Sequence, residues 1–243
     1  MKLIIDVGNT RVKLAVYNGS HLEERLTTSQ DNLFEQICML VERYKSITGA
    51  IMSSVGGFDD KVISKITELV NLMILNSKTK LPFENKYKTP STLGVDRIAL
   101  VSASVNQFPN DDVLIIDAGT CVTYDFINSS NEYIGGAISP GLSTRYRSLN
   151  NLTANLPLLD LKLPENITGN STNESIHSGV VNGLVKEIDG VITEYKIKYP
   201  HLTVILTGGD ANFLSKQLKS SIFANSNFLL EGLNFLLQFN SNE

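Results

Sequence analysis

Thiols and imidazoles are scarce in this 243-residue chain, which has two cysteines and three histidines. Cys38 and Cys121 stand far apart and form no C-x-x-C pair, so neither a disulfide framework nor a structural zinc site is indicated, and both read as core residues. A nucleophilic thiol would want a partnered histidine, and His21, His177 and His201 sit in polar stretches that offer none. No apolar run approaches the roughly 20 residues that span a bilayer. The N-terminus enters a strand without a basic leader, so the chain reads as cytoplasmic, with no membrane partner. A net charge of −4 supplies no basic field for nucleic acid, and any anionic ligand must be held by local donors. Neither G-x-G-x-x-G nor G-x-x-x-x-G-K-[ST] occurs, which argues against a dinucleotide or P-loop site.

What is present begins at the first strand. Leu3, Ile4 and Ile5 run into Asp6, a turn follows at Gly8, Asn9 and Thr10, and Arg11 and Lys13 then alternate with Val12, Leu14 and Val16. This reads as a β-hairpin. Gly8 lets backbone amides approach a ligand, Asn9 tolerates a positive φ, and Thr10 and Lys13 add a hydroxyl and a cation, which together suit a phosphate chain. Asp6 would repel bare phosphate and fits better as a holder of Mg²⁺ or water beside a nucleotide. For the turn taken alone, a hairpin in which Asp6 and Asn9 only satisfy turn amides is the alternative.

The turn is echoed. Leu114-Ile115-Ile116-Asp117-Ala118-Gly119-Thr120 repeats the first motif with one residue fewer, and an alternating strand through Val122, Tyr124 and Phe126 follows. The reading is an internal duplication, two similar lobes each bringing a carboxylate, a glycine and a threonine to a strand end.

Between them lie a helix capped at Asp31, a strand at Ala50–Ser53, a Gly56-Gly57 turn, a helix from Lys61 to Val70, and a strand near Met73–Leu75, the alternation of an α/β lobe. The irregular stretch from Ser77 to Leu93 is long for a connection and reads as a functional loop. It ends in Gly94-Val95-Asp96-Arg97 at the head of a helix. There the helix amides, a guanidinium and a carboxylate can converge on an anionic substrate, the alternative being ordinary dipole compensation by Asp96 with Arg97 on the surface. Asn110–Asp112 marks the lobe boundary, giving lobes 1–112 and 113–243. Later come a Gly/Pro turn at Pro140-Gly141, a long helix from Thr172 to Lys198, and Thr207-Gly208-Gly209-Asp210, whose glycines suit an adenine-ribose or phosphate edge. The helix carries an apolar stripe (Ile176, Val180, Leu184, Ile188, Ile192) that reads as core or dimer seam.

These motifs, in this order and over nearly the whole chain, resemble the type III pantothenate kinases of the sugar kinase, actin and Hsp70 superfamily. The resemblance implies an α/β fold of two duplicated ribonuclease H-like lobes, the actin-like ATPase fold, with ATP in a cleft between them and pantothenate as phosphoryl acceptor. Matched residue by residue, it makes Asp6, Val7, Gly8, Asn9, Thr10, Arg11, Val12 and Lys13 the ATP phosphate loop, with Asp6 near Mg²⁺. Asp96 becomes the general base. Gly94, Val95, Asp96 and Arg97, with Tyr87 and Thr172, become the pantothenate site. Thr120 becomes an ATP contact, and Asp117 the ligand of a monovalent cation, K⁺ or NH₄⁺. It also implies a homodimer. Arg145 and Arg147 depart from the expected pattern, and their role stays open. The rival readings are another small-molecule sugar kinase of the superfamily and a kinase-like regulatory ATP-binding protein.

Overall fold

Leu3, Ile4 and Ile5 are all fully buried, because the strand they occupy, β1 (Lys2–Val7), is the middle strand of a sheet covered on both faces. The computed structural model describes residues 1–8, 11–54 and 59–241. Asn9, Thr10 and the Gly56-Gly57 turn lie outside them. β1 pairs antiparallel with β2 (Val12–Asn18), which pairs antiparallel with β3 (His21–Thr28). Helix α1 (Leu33–Arg43) then leads to β4 (Gly49–Ser54), parallel to β1, and α2 (Asp60–Leu69) leads to β5 (Leu72–Ile74). The sheet order is β3-β2-β1-β4-β5.

Side chains alternate across a strand, so Leu3, Ile5 and Val7 pack on one face with Val12, Leu14, Leu33, Ile37, Leu40 and Ile66. Ile4 and Asp6 point the other way. Helix α1 starts at Leu33 with Asn32 at its N-cap and no side-chain cap bond, so Asp31 does not cap it. Asp59 does cap α2, accepting from the Lys61 amide at 2.9 Å. The stretch expected as a functional loop holds a two-residue strand β6 (Glu84–Asn85) and a single 3₁₀ turn at Pro90–Thr92, and delivers the chain to α3 (Val95–Gln107).

The second half repeats the plan. β7 (Val113–Ala118), β8 (Cys121–Ile127) and β9 (Glu132–Pro140) form a meander, followed by α4 (Leu142–Asn151). After an irregular stretch come α5 (Thr172–His177) and α6 (Gly183–Lys198). β10 (Thr203–Thr207), the short α7 (Ala211–Leu214) and β11 (Phe223–Ala224) complete it. These strands run in the order β11-β10-β7-β8-β9, with β10 parallel to β7 as β4 is to β1. The duplication read from two turns is therefore a duplication of topology.

The long helix expected over residues 172–198 is interrupted by a π-helical segment at Ser178–Asn182. Its stripe of Ile176, Val180, Leu184, Ile188 and Ile192 is buried in the core of its own unit, so these residues are core and not a dimer seam. Of the cysteines expected in the core, Cys38 is half-buried and Cys121 is exposed. His177, although it sits in a polar stretch of the sequence, is buried, with Nδ1 2.8 Å from the Tyr146 hydroxyl.

The chain closes with α8 (Phe228–Ser241), and here the lobe boundaries change. One compact unit comprises Met1–Pro109 with Asn227–Glu243, the other Asn110–Ser226, so the last helix belongs to the first unit and not to a second lobe running to residue 243. The reason is packing. Phe228, Leu229, Leu230, Leu233, Leu236 and Leu237 are all buried, and α8 lies against α3, β1 and β4. A Cβ on Gly232 would stand 1.9 Å from the Ala99 carbonyl oxygen, so glycine sets how closely α8 approaches α3. Gly232→Ala is expected to destabilise the protein by about 1–3 kcal/mol, the cost of overpacking. A thermal melt checks this, and an unchanged or raised midpoint would mean that the two helices separate freely.

Candidate active site

Sheet register builds the first cluster. Asp6 pairs with Lys13 on β2 and with Ser53 on β4, and directly paired residues project from the same face. Ser53 Oγ donates to Asp6 Oδ1 at 2.9 Å, and Lys13 Nζ lies 3.7 Å from Oδ2. Burial raises the Asp6 pKa and outweighs the lysine and the serine, which lower it; the Asp96 carboxylate adds to the rise. Burial, more than neighbouring charge, is therefore what disfavours the ionised carboxylate.

The rest of the expected phosphate loop divides by face. Val7 and Val12 are buried in the core with α1, so their side chains are unavailable to a ligand. The Gly8 amide donates to the Arg11 carbonyl at 3.1 Å, closing the turn. Arg11 is exposed and Lys13 half-exposed. Asn9 and Thr10 lie outside the described residues.

The second cluster is the head of α3, in the same unit. Gly94 occupies the N-cap, and a Cβ there would stand 2.3 Å from Asp96 Oδ1, so the glycine leaves room for that carboxylate. Asp96 is half-buried and accepts from the Arg97 amide at 2.8 Å. Arg97 is only 5% exposed, which rules out the surface reading. Its guanidinium lies 5.6 Å from the centroid of the Tyr87 ring, a cation–π distance. A cation in a first helical turn gains nothing from the dipole, which favours anions there. A buried guanidinium braced by an aromatic ring at that place is suited to an anionic ligand. Val95, between these residues, is half-buried.

The second unit presents its echo in the same register. Asp117 pairs with Thr123 on β8 and Thr207 on β10, the positions that Lys13 and Ser53 hold around Asp6. Gly208 has φ +96°, and a Cβ on it would lie 2.4 Å from Asp117 Oδ1 and 2.3 Å from the Ala118 carbonyl oxygen, so only glycine lets the chain fold over the carboxylate. Gly209 is exposed and leads into a helix of four residues, too short to offer a helix N-terminus. Thr120 is exposed, and its carbonyl accepts from the Gly141 amide at 3.0 Å and the Thr144 hydroxyl at 2.6 Å. Thr172 lines a cavity of about 750 Å³ with Leu149, Leu156, Asn170, Ser175 and Ile176.

A family model of type III pantothenate kinase matches residues 2–194. The chain belongs to that family. It is 48% identical to a type III pantothenate kinase of Christiangramia forsetii, over 100% of both chains, and 47% identical to one of Flavobacterium johnsoniae, over 98% of both. Among solved structures it superposes on a Campylobacter jejuni protein described as a candidate Baf family transcriptional activator, with a TM-score of 0.66 and 20% identity, over 99% of this chain and 100% of that one. That likeness concerns the fold.

For a type III pantothenate kinase, the structure groups Asp6, Lys13, Tyr87, Asp96 and Arg97 in one unit, and Asp117, Thr120, Thr172, Gly208 and Gly209 in the other. Ser53 was missed, although it was read as the end of a strand; the signal was its place in a β-strand that pairs in parallel with β1, matching Thr207 in the repeat. Arg145 proves to be an ion-pair partner of Glu187, and Arg147 lines a smaller cavity of about 280 Å³ with Tyr146 and Asp210. Burial raises the pKa of Asp210.

Proposed function

We propose that the chain transfers the terminal phosphoryl group of ATP to the terminal hydroxyl of pantothenate, giving 4'-phosphopantothenate, the first committed step towards coenzyme A. The observation that carries this reading is the 48% identity to a type III pantothenate kinase over the whole of both chains. Phosphoryl transfer proceeds through a loose transition state and needs alignment and charge neutralisation more than covalent help. Lys13 supplies a cation at the first turn. Asp96 orients the acceptor hydroxyl and takes its proton late, as the new P–O bond forms. Arg97, backed by Tyr87, pairs with an anionic group of the acceptor or of the phosphoryl donor. Gly94 and Val95 complete that wall, Thr172 contacts the acceptor, and Thr120 with Gly208 and Gly209 contacts the nucleotide.

Two cations belong to the reading. Mg²⁺ keeps several waters and takes one or two carboxylates beside nucleotide phosphates. Asp6 fits, since it is a carboxylate at a strand end whose ionised form burial disfavours, a cost that a cation beside it would offset. Bound there, the ion would offset phosphate charge. Asp117, ringed by the Thr123 and Thr207 positions, is the residue for K⁺ or NH₄⁺. Replacing both ions by a bulky organic cation is expected to lower turnover at least about tenfold, the loss of ~1.4 kcal/mol of charge stabilisation. Equal rates with and without them would remove Asp117 from that role.

The reading also places the enzyme in the cytoplasm as a homodimer. Exposed Ile138, Leu158, Ile167 and Ile197 supply apolar surface on the second unit. Light scattering of the purified protein tests the dimer. The test of function is ATP consumption with pantothenate, Mg²⁺ and K⁺, beside a sugar panel and a no-acceptor control. Pantothenate-dependent turnover is the expected result. A sugar preference would favour the sugar kinase alternative, and binding without turnover the regulatory one.

A further inference from the structure

Arg145 sits one turn into α4, and its guanidinium reaches three places at once. Nε donates to the Pro140 carbonyl at 2.8 Å, and Nη2 donates to Ser139 Oγ at 3.0 Å and pairs with Glu187 Oε2. Glu187, on α6, accepts from the Tyr124 hydroxyl of β8 at 2.9 Å. One cation thus fastens the end of β9 to a helix and, through that helix, to the neighbouring strand. Both charged side chains are mostly buried, at 21% and 28% exposure, so solvent screens the pair less than it screens a surface pair. Burial pushes the Glu187 carboxyl up, but hydrogen bonds from Arg145, Ser139 and Tyr124 outweigh it and hold the group below its ordinary value.

The segment that Arg145 fastens is the one that holds Thr120. Gly141, directly after Pro140, donates its amide to the Thr120 carbonyl, and Thr144, directly before Arg145, donates its hydroxyl to the same oxygen. Thr120 lies in a two-residue connection between β7 and β8, whose Gly119 amide is already bonded to the Cys121 carbonyl. The position of Thr120 is therefore coupled to that of residues 139–144, which the β8–β9 ladder and the guanidinium hold together.

We propose that Arg145 and Glu187 are a positioning pair that sets the Thr120 turn for the nucleotide. This rests on the reading of Thr120 as an ATP contact. It assigns the pair to the affinity for ATP and not to the acceptor. It also requires arginine, because only a planar fork can hold Glu187, Ser139 and the Pro140 carbonyl in fixed directions; lysine keeps the charge and loses the fork.

Steady-state kinetics on the full chain, with each substrate varied at saturation of the other, test the proposal in Arg145→Lys, Glu187→Gln and Thr120→Val. Arg145→Lys is expected to raise KM for ATP about tenfold, leave KM for pantothenate within about twofold, and keep the melting midpoint near that of the parent. Glu187→Gln keeps the shape of the carboxylate and is expected to show the same split, so the result does not depend on one variant folding. If Thr120→Val raises KM for ATP while both pair variants leave it unchanged, or raise both constants together, the positioning role is overturned and the Thr120 reading stands. If Thr120→Val leaves KM for ATP unchanged, the Thr120 reading falls and the proposal with it.

Discussion

Asp96→Asn is expected to lower turnover by at least about 100-fold, the lower range for loss of a general base, while ATP affinity stays close to that of the parent. The substitution is nearly isosteric. The amide oxygen of asparagine can still accept from the Arg97 amide, a bond of 2.8 Å to Asp96 Oδ1 in the parent, so the first turn of α3 keeps its shape. What is lost is a group able to take the acceptor proton. Asp96 also acts on Asp6, since its negative charge helps to raise the Asp6 pKa. Removing that charge relieves a like-charge repulsion but forfeits a favourable anion in the first helical turn, so the two effects oppose and the variant is expected to melt close to the parent. The measurement is a single-turnover rate at saturating ATP and pantothenate, with binding of a non-hydrolysable ATP analogue followed separately. Turnover near the parent's, with normal binding, would take Asp96 out of the chemistry. A loss of binding equal to the loss of turnover would make it a substrate-holding residue.

What could be read from the sequence was local in the chain. The Asp6 hairpin, its echo at Asp117 and the Gly94–Arg97 helix start are each written within about ten residues, and each is found where the pattern put it. What could not be read depends on distant partners. Ser53 meets Asp6 only because β4 pairs in parallel with β1, and no local period reports which strand pairs with which. Placing α8 in the first unit depends on its contact with α3, where Gly232 meets Ala99. An apolar helix at the end of a chain looks the same whichever core it joins. Arg145 looked anomalous because its partner, Glu187, lies 42 residues away on another helix.

Asp6→Asn separates function from stability most sharply, because the two effects should have opposite signs. Asp6 is 6% exposed, and in the folded chain burial raises its pKa above the ordinary carboxylate value. An acid whose pKa is raised by folding contributes no penalty below its unfolded-state pKa, where both states are protonated. As pH rises through the folded pKa, the charge must be carried in the buried site and stability is lost. Above the ordinary carboxylate range, then, Asp6 costs the protein stability, and asparagine removes that cost. Its amide oxygen can still accept from Ser53, and Lys13 is 39% exposed and can be solvated without its partner. The variant is expected to melt a few degrees higher than the parent at pH 7, at about 2–4 °C per kcal/mol for a chain of this size. The gain should shrink as pH falls towards the ordinary carboxylate range. Turnover should fall at least about 100-fold, the scale for removing one preorganised electrostatic group. A melting point several degrees lower would mark Asp6 as a residue of the fold, there to satisfy Ser53 and Lys13. A melting point that rises while turnover falls is the result expected of a buried carboxylate that serves the nucleotide site proposed above and not the fold.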